Sequence, residues 1–484
     1  MVETLLKRFS RREDGALTAF GLFLVIAMII VGGLGLDVAN AVMTRTHLQV
    51  AADSAAHAAI VAREYRSEDD AKAIAISVAE ASLPDFRYGD TIVESDIEFG
   101  EWDALTGFTA ISGSDQAVRV STQRLAERNN GMGTFFLRFI GLFSMDIRTA
   151  SIFETYYPTC LREGFVANDR VDVQSNNVYT AGFCIHSNSH VEINNGNVFD
   201  TGVIVSMPNK ADLVRPNSDN NTGIDAALRS GSYRVRVLQR IDAIIEGFDD
   251  PSSEYYRADY LDNPIGTNLL ATNVNLDETV WEAGEIHEYN CGTLASLNNV
   301  THTNGNGNGN GNGNGNGGTD TGDTGDTGGD TGSTDTTSNG GGNNRVTIPS
   351  NTTLVGGVIY TDCLIRIGSG VTLEDVLIVQ TNTDIAAIDG ASGVTLGKDD
   401  SCADGGGVQI VTKGGVNFPA SLSAYGAQII AEKKIDFEAN ANGVEGVSFI
   451  SGGEIDSTSN MAMGFCNGAG LENRFEAEYF RLVD

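Results

Sequence analysis

Three kinds of residue in this 484-residue chain could do chemistry by type and spacing: six cysteines, two pairs of adjacent carboxylates and two close histidines. Cys160, Cys184, Cys291, Cys363, Cys402 and Cys466 form an even set with no Cys-x-x-Cys. That pattern argues for disulfides in an oxidising compartment and against a zinc ribbon or a thioredoxin-like centre, and it leaves the pairing open. Asp249/Asp250 and Asp399/Asp400 are adjacent acids. On a strand such neighbours point to opposite faces, and beside Pro251 and Lys398 they read as solvated turns. A lyase built on a parallel β-helix needs a cation beside its carboxylates, and no Arg-x-Lys pair stands there. His186 and His190 enclose Ser-Asn-Ser, which reads as two exposed turn histidines between strands, not a metal face. No Gly-x-Ser-x-Gly, His-Glu-x-x-His or P-loop pattern occurs. The expectation is no catalytic residue, no metal and no cofactor.

The elements that carry these residues begin with an apolar run. Residues 16–36 read ALTAFGLFLVIAMIIVGGLGL, with Thr18 the one polar side chain, long enough to cross about 30 Å of hydrocarbon. The run continues into Asp37 and an alanine-rich helical pattern without a small-residue cleavage site, so an uncleaved anchor is expected. Lys7, Arg8, Arg11 and Arg12 precede it, which predicts a single-pass protein with residues 1–15 cytoplasmic and the bulk exported. Acids outnumber bases 64 to 31, a net charge of -33, which excludes a nucleic-acid partner. Beyond the anchor, Leu48, Ala51, Ala52, Ala55, Ala59 and Ala62 recur at spacings of three and four. This small-residue stripe fits either packing within its own domain or close approach of a partner helix.

The basic arm, Gly15, the apolar span and GLGLDVANAVMTRTHLQVAADSAAHAA together resemble the TadE/TadG-like proteins of the tight-adherence (Flp) pilus system. The residues that carry the resemblance are Asp37, Leu48, Gln49, Asp53, Ala55 and Ala56, with Ala59 on the same face. FGEWDALTGF, AVRVSTQR and FFLRFIGLFSMDIRTASI follow in order, so the likeness covers about the first 155 residues. It implies an inner-membrane protein of pilus biogenesis, with pilus-assembly proteins or pilin subunits as partners besides the bilayer. Processed members have Glu five residues after the cleavage-site Gly; here that position is Phe20, which favours the anchored, TadG-like version. Some TadG-like proteins carry an Asp-x-Ser-x-Ser metal loop. The nearest string, Asp456–Asn460, lacks its serines. Within this module, Ser67 caps a helix running to about Leu83, alternating stretches near Thr91–Phe99 and Ala117–Thr122 predict strands, and Gly133–Leu142 predicts an apolar helix.

From Asn168 the texture changes to short β-branched runs broken by Gly, Asn and Ser. SGVTLED, SGVTLGK, GGVNFPA and KKIDFEA begin at Ser369, Ser392, Gly414 and Lys433, steps of 23, 22 and 19. VLIVQTN, VQIVTKG, AQIIAEK and VSFISGG interleave with them, and DRVDVQS and SHVEINN start 20 apart at Asp169 and Ser189. Units of this length cannot bury their own apolar face and must stack, which predicts a parallel β-solenoid with Gly and Asn at the corners. The expected fold class is an α+β module with one transmembrane helix, followed by an all-β parallel β-helix. The expected boundaries are 16–36 anchor, 37–157 periplasmic module, 168–208 first coils, 209–300 insert with a helix from Tyr233, 301–344 linker and 345–484 remaining coils. The final stretch 472–483 is expected to cap the stack. Of the 58 glycines, 16 fall in 301–344, an Asn/Gly/Asp-rich tract with no apolar residue or cation, expected to be a disordered tether.

These readings converge on a membrane-anchored, non-enzymatic pilus-assembly component in a bacterial inner membrane. An anchored adhesin binding surface glycans is the alternative, and a β-helix carbohydrate-active enzyme stands behind it.

Overall fold

A computed structural model describes residues 14–215, 220–261, 267–270, 273–291, 345–471 and 473–483. The basic arm with Lys7, Arg8, Arg11 and Arg12 and the expected tether 301–344 lie outside them. The chain divides into two compact units, residues 1–158 with 478–484, and residues 159–477.

In the first unit, one continuous helix, α1 (Asp14–Arg63), contains both the apolar span and the alanine-rich segment without a break at Asp37. Its 50 residues make it about 75 Å long. Helix α2 (Glu68–Ser82) opens at Ser67, whose hydroxyl accepts from the Asp70 N–H, and its first-turn acids Glu68, Asp69 and Asp70 suit the positive end of the helix dipole. Strands β1 (Ile97–Asp103), β2 (Gly107–Ala110), β3 (Ala117–Arg124) and β4 (Ile147–Tyr156) form an antiparallel sheet in the order β2-β1-β3-β4. Its fifth strand is Tyr479–Leu482, paired antiparallel with β4. Ala55, Ala56, Ala59 and Ile60 of α1 are buried with Ala71, Ala75 and Ala79 of α2 above Phe99, Val118 and Val120. Two alanine faces allow two helices to approach closely, and both faces are occupied within this unit. The expected apolar helix over Gly133–Leu142 is not what forms. Those residues make a short hairpin (Met132–Gly133 with Ser144–Met145) around a 3-10 turn, Leu137–Ile140, that stops at Gly141 with φ 91°.

In the second unit, twenty-four strands among the described residues join one hydrogen-bonded system, and its pairings are parallel. Thr353–Thr361 pairs with Thr372–Gln380, then come Val408–Thr412, Ala427–Ala431 and Ser448–Ser451. Inward side chains, among them Leu373, Ile378, Ile410, Ile429, Phe437 and Phe449, form a continuous apolar core. Asn351 (φ 61°), Gly370 (φ 68°) and Gly393 (φ 77°) turn the same corner in three successive layers, linked by Asn351 N–H to Ser369 O and Gly370 N–H to Ser392 O. Only glycine and asparagine adopt this backbone region readily.

Three expectations need correction. SGVTLGK does not align with GGVNFPA, 22 residues on. Thr395–Leu396 instead pairs with Ser423–Ala424, and Val416 pairs with Ile388, because Lys398–Gly407 loops out between them. The coils at 168–208 are not the first of the series in space. Gly164–Ala167 pairs with Ser448–Ser451 on one side and Cys184–Ser187 on the other, so the earliest strands of this unit extend the latest ones. The stretch 472–483 therefore does not cap the stack: Tyr479–Leu482 is a strand of the first unit, and the second unit runs from Thr159 to Ala477.

The expected helix from Tyr233 forms as a 3-10 segment, Arg236–Arg240, followed by a short α-helix, Ile241–Gly247. Val235, Val237, Ile241, Ile244 and Phe248 cover the outer side of the ladder at Val358, Leu377, Val379, Val411 and Ile430. Strands such as Val408–Thr412 and Ala427–Ala431 are thus buried on both faces, which explains why they read as unbroken apolar runs. Their outward glutamines are satisfied: Gln428 donates to Phe475 O at 3.0 Å and accepts from its N–H at 2.7 Å.

The cysteines pair as Cys160–Cys184, Cys291–Cys363 and Cys402–Cys466. Strands Ile286–Asn290 and Arg345–Ile348 align with Thr353–Thr361 and Leu364–Ile367 of the next layer. That next layer turns its corner with Asp362 and Cys363 alone, so residues 291–344 stand where two residues suffice. Cys291–Cys363 ties the base of this insertion to the neighbouring corner and closes a separation of 72 residues. A Cys291→Ser/Cys363→Ser double substitution should leave the ladder intact but lower unfolding free energy by up to about 4 kcal/mol, the loop-closure entropy of such a bridge. Denaturant melts of oxidised wild type and the variant measure it, and equal midpoints would show that the bridge does not hold this corner.

Candidate functional site

The first unit concentrates its polar chemistry where α1 leaves the apolar span. Asp37 follows that span directly, and its carboxylate is buried. Its Oδ1 accepts from Phe135 N–H at 2.7 Å, and its Oδ2 accepts from Phe136 N–H at 2.8 Å and Leu137 N–H at 2.7 Å. These N–H groups lead into the 3-10 turn and would otherwise lack acceptors, so Asp37 caps a turn about 100 residues away in sequence. Burial pushes the carboxyl upward, but the three N–H groups, helped by Arg138, bring it below the ordinary Asp value. One turn earlier on α1, Gly33 accommodates the Phe136 ring: a Cβ there would sit 2.3 Å from Phe136 Cγ.

The other residues of the Tad-like motif hold the same helix to its sheet. Leu48, Ala55, Ala56 and Ala59 are fully buried. Gln49 Nε2 donates to Asp53 Oδ1 at 2.8 Å and to Ala150 O of β4 at 2.9 Å, while the Thr122 hydroxyl of β3 donates to Leu48 O at 2.8 Å. Of the two readings of the alanine face, packing within its own domain is the one seen: Ala55, Ala56 and Ala59 are covered by α2 and the sheet of their own unit.

In the second unit, parallel register assembles a charged column. Arg366 aligns with Asp389, then Asn417, Asp436, Asp456, Asp172 and Glu192, one residue per layer. Successive layers lie about 4.8 Å apart, so the acids would repel if unaccompanied. Arg170 answers three of them, reaching Glu192 at 3.2 Å, Asp456 at 3.1 Å and Asp172 at 3.5 Å, and it also meets Glu454 at 3.5 Å. Lys434 bridges Asp456 at 2.5 Å and Asp436 at 3.0 Å, and Arg366 pairs with Asp389. Asp172 is the most enclosed. Burial, then the neighbouring Glu192, raise it to about 6 despite Arg170, and its Oδ1 has no hydrogen-bond partner. Signal for this column was present: VDV, VEI, AIDG, KIDF and EIDS place an acid at the same point of five repeats. The missing information was the order of the layers, since Arg170 and Asp456 are 286 residues apart.

The residues singled out by type behave as structural groups. His186 is not an exposed turn residue; it is buried in Cys184–Ser187, with Nδ1 2.8 Å from Ser206 Oγ and Nε2 3.0 Å from Asn188 Oδ1, and burial lowers its pKa. Both ring nitrogens are engaged, so it does not join His190, whose Nδ1 meets Ser189 Oγ. Asp250 accepts from the Ser252 N–H and hydroxyl in a tight turn, and Asp400 accepts from Ala403 N–H. Two groups combine cysteine sulfurs with a carboxylate, Cys291/Asp362/Cys363 and Cys402/Glu445/Cys466. In each, the sulfurs are joined to one another and offer no thiolate.

A family model described as "Domain of unknown function (DUF7867)" matches residues 164–310 and 330–467, and the chain belongs to that family. A second model, Flp pilus-assembly TadE/G-like, matches residues 15–64, which contain the apolar span, Asp37, Gln49, Asp53 and the alanine face. No curated protein and no solved structure matches the chain.

Two predictions follow from this geometry. Asp37→Asn removes the charge and turns an amide N–H toward the N–H groups it should accept from. The Phe135, Phe136 and Leu137 amides should lose hydrogen-exchange protection while the β3–β4 amides keep theirs; unchanged protection would remove Asp37 from the capping role. Asp172 is raised in the folded state, so the native protein binds its proton more tightly than the unfolded chain does. Its contribution therefore becomes unfavourable as pH rises from about 4 to about 6. Asp172→Asn should flatten the stability profile over that window and stabilise the protein near neutral pH by about 1–2 kcal/mol after solvent screening. Thermal melts across the window test this.

Proposed function

We propose that this protein is a membrane-anchored, non-enzymatic component of tight-adherence (Flp) pilus assembly, of the TadG-like kind. On this reading, its DUF7867 region is an exported parallel β-solenoid that contacts pilus subunits, the envelope or surfaces. The observation that carries it is the coincidence of the TadE/G-like match with the apolar helix and with the residues that hold that helix to its module. The span 16–36 supports single-pass anchoring, and the positive-inside rule supports a cytoplasmic N-terminus. The parallel ladders at steps near 20 residues, the shared corner and the continuous core support a solenoid.

A non-enzymatic role is supported by what the candidate groups are doing. Asp250 and Asp400 accept from turn N–H groups, His186 fills the core, and the carboxylates of the charged column are engaged by Arg170, Lys434 and Arg366. The second reading, an anchored glycan-binding adhesin, draws on that same column, because parallel β-solenoids offer long polar faces on which extended sugars can lie. An enzymatic reading would rest on Asp172, whose raised carboxyl beside Arg170 is the kind of group a general acid requires.

Deletion of the gene should abolish piliation and surface attachment, and the full chain should restore both where a version lacking residues 159–477 does not. Normal piliation in the deletion strain would overturn the reading. The exported part, residues 37–484, applied to a glycan array separates the adhesin: binding that Arg170→Ala reduces at least tenfold supports it, and a blank array removes it. Turnover of a uronate polymer that disappears in Asp172→Asn would replace both with an enzyme.

A further inference from the structure

The aromatic hairpin at 134–143 has a composition and geometry that the anchor alone does not explain. Phe135, Phe139 and Phe143 are 65%, 81% and 69% exposed, and Leu142 is 44% exposed, in one segment of nine residues. An aqueous module would bury such rings or lack them. Here they stand beside the C-terminal half of the apolar span. Phe136 is seated on Gly33, and Phe136 and Phe139 face Ile26, Ile30 and Leu34 across an open apolar groove. Ile26 lies eleven residues before Asp37, about 16 Å along the helix, so the groove occupies the depth of roughly half a hydrocarbon core.

Non-helical backbone reaches such depth only if its polar groups are satisfied internally. Seven backbone N–H groups of this hairpin, from Thr134 to Leu142, are satisfied in this way. The Phe135, Phe136 and Leu137 N–H groups go to the Asp37 carboxylate. Phe139 N–H bonds Phe136 O at 3.0 Å, Gly141 N–H bonds Arg138 O at 3.1 Å, Leu142 N–H bonds Leu137 O at 3.2 Å, and Thr134 N–H bonds Phe143 O at 3.2 Å. The Thr134 hydroxyl donates to Leu142 O. Arg138, whose Nε donates to Thr134 O at 2.9 Å, is exposed among the phenylalanines and is long enough to carry its charge out to phosphate headgroups.

We propose that residues 134–143 are a second membrane element, a hairpin that dips into the leaflet next to the module and is locked to the anchor by Asp37 and Gly33, with lipid acyl chains filling the groove. The occupant is lipid and not a partner helix for three reasons. The named groove walls carry no polar side chain to bond a partner. Gly33, the glycine beside this groove, is already filled by Phe136. The protruding rings are large and splayed, which suits fluid chains better than a second rigid surface. The inference rests on the anchoring proposed above.

The test uses the full chain in phospholipid bilayers, with tryptophan reporters read as the difference from wild type, whose Trp102 and Trp281 supply the baseline. Phe23→Trp reports the anchor; Phe139→Trp and, as an independent variant, Phe143→Trp report the hairpin. The expected result is a blue-shifted emission for all three, lost in lipids brominated along the acyl chain and unaffected by aqueous iodide. Hairpin reporters quenched by iodide and not by bromolipid, with Phe23→Trp still quenched by bromolipid, would overturn the inference while leaving the anchor in place. Failure of bromolipid to quench any reporter would overturn both. Hairpin reporters shielded from both quenchers would show a protein, either a partner or a second copy, on this surface and would equally overturn the lipid assignment.

Discussion

Parallel strands stacked in register put like residues on like. Each position along a layer faces its equivalent about 4.8 Å away in the next, so whatever one layer does, its neighbours must tolerate. For apolar residues this is favourable, and Leu373, Ile378, Ile410, Ile429 and Phe449 merge into one core from strands that could not bury themselves alone. Corners inherit the same rule: Asn351, Gly370 and Gly393 repeat one left-handed turn because the layers above and below require it. A second corner, the one turned by Asp362 and Cys363, takes an insertion without breaking the ladder on either side. Residues 291–344 enter where the adjacent layer needs two residues, and a disulfide closes the base of the insertion.

Charge is where this constraint costs most. Asp389, Asp436, Asp456, Asp172 and Glu192 are brought into line by the same register that stacks the core, and their mutual repulsion opposes stacking. Arg170 and Lys434 each contact acids from different layers, which converts a column of repulsion into a network linking early and late segments of the chain. The compensation is uneven. Asp172, most enclosed and nearest Glu192, keeps a raised pKa and an unpartnered oxygen, so the network is held together with one group away from its own optimum.

How much of this was readable before the structure depended on range. Helix α2 was legible from Ser67 and its first-turn acids, because a cap acts within one turn. The steps of 19 and 20 residues were legible because each pairs with a true ladder, such as Val416 with Ile435 or Val171 with Val191. The step of 22 failed because similarity between SGVTLGK and GGVNFPA is local, whereas register is set by the loop 398–407 that separates them. Layer order was beyond reach for the same reason: nothing near Gly164 records that Ser448 will lie beside it. The charged column was written in the repeats as a recurring acid, but its cations become visible only once layers 286 residues apart are adjacent. His186 misled because a turn-like neighbourhood, Ser-Asn-Ser, follows a residue that is still in the strand.

The Tad-like motif was recognised from its residues, while the choice between its two readings had to come from the structure. Alanines at helical spacing signal close approach, but composition does not say of what. Here α2 and the sheet supply the approach, and Gln49, Asp53 and Thr122 fix it with hydrogen bonds. Asp37 belongs to the same set: its carboxylate is spent on the backbone of its own hairpin. The motif thus couples the apolar helix to the sheet of its own unit, and its Leu48, Ala55, Ala56 and Ala59 are enclosed there. Under the proposed function, partner contacts then draw on surfaces outside these buried residues, and the polar faces of the second unit offer charged side chains for them.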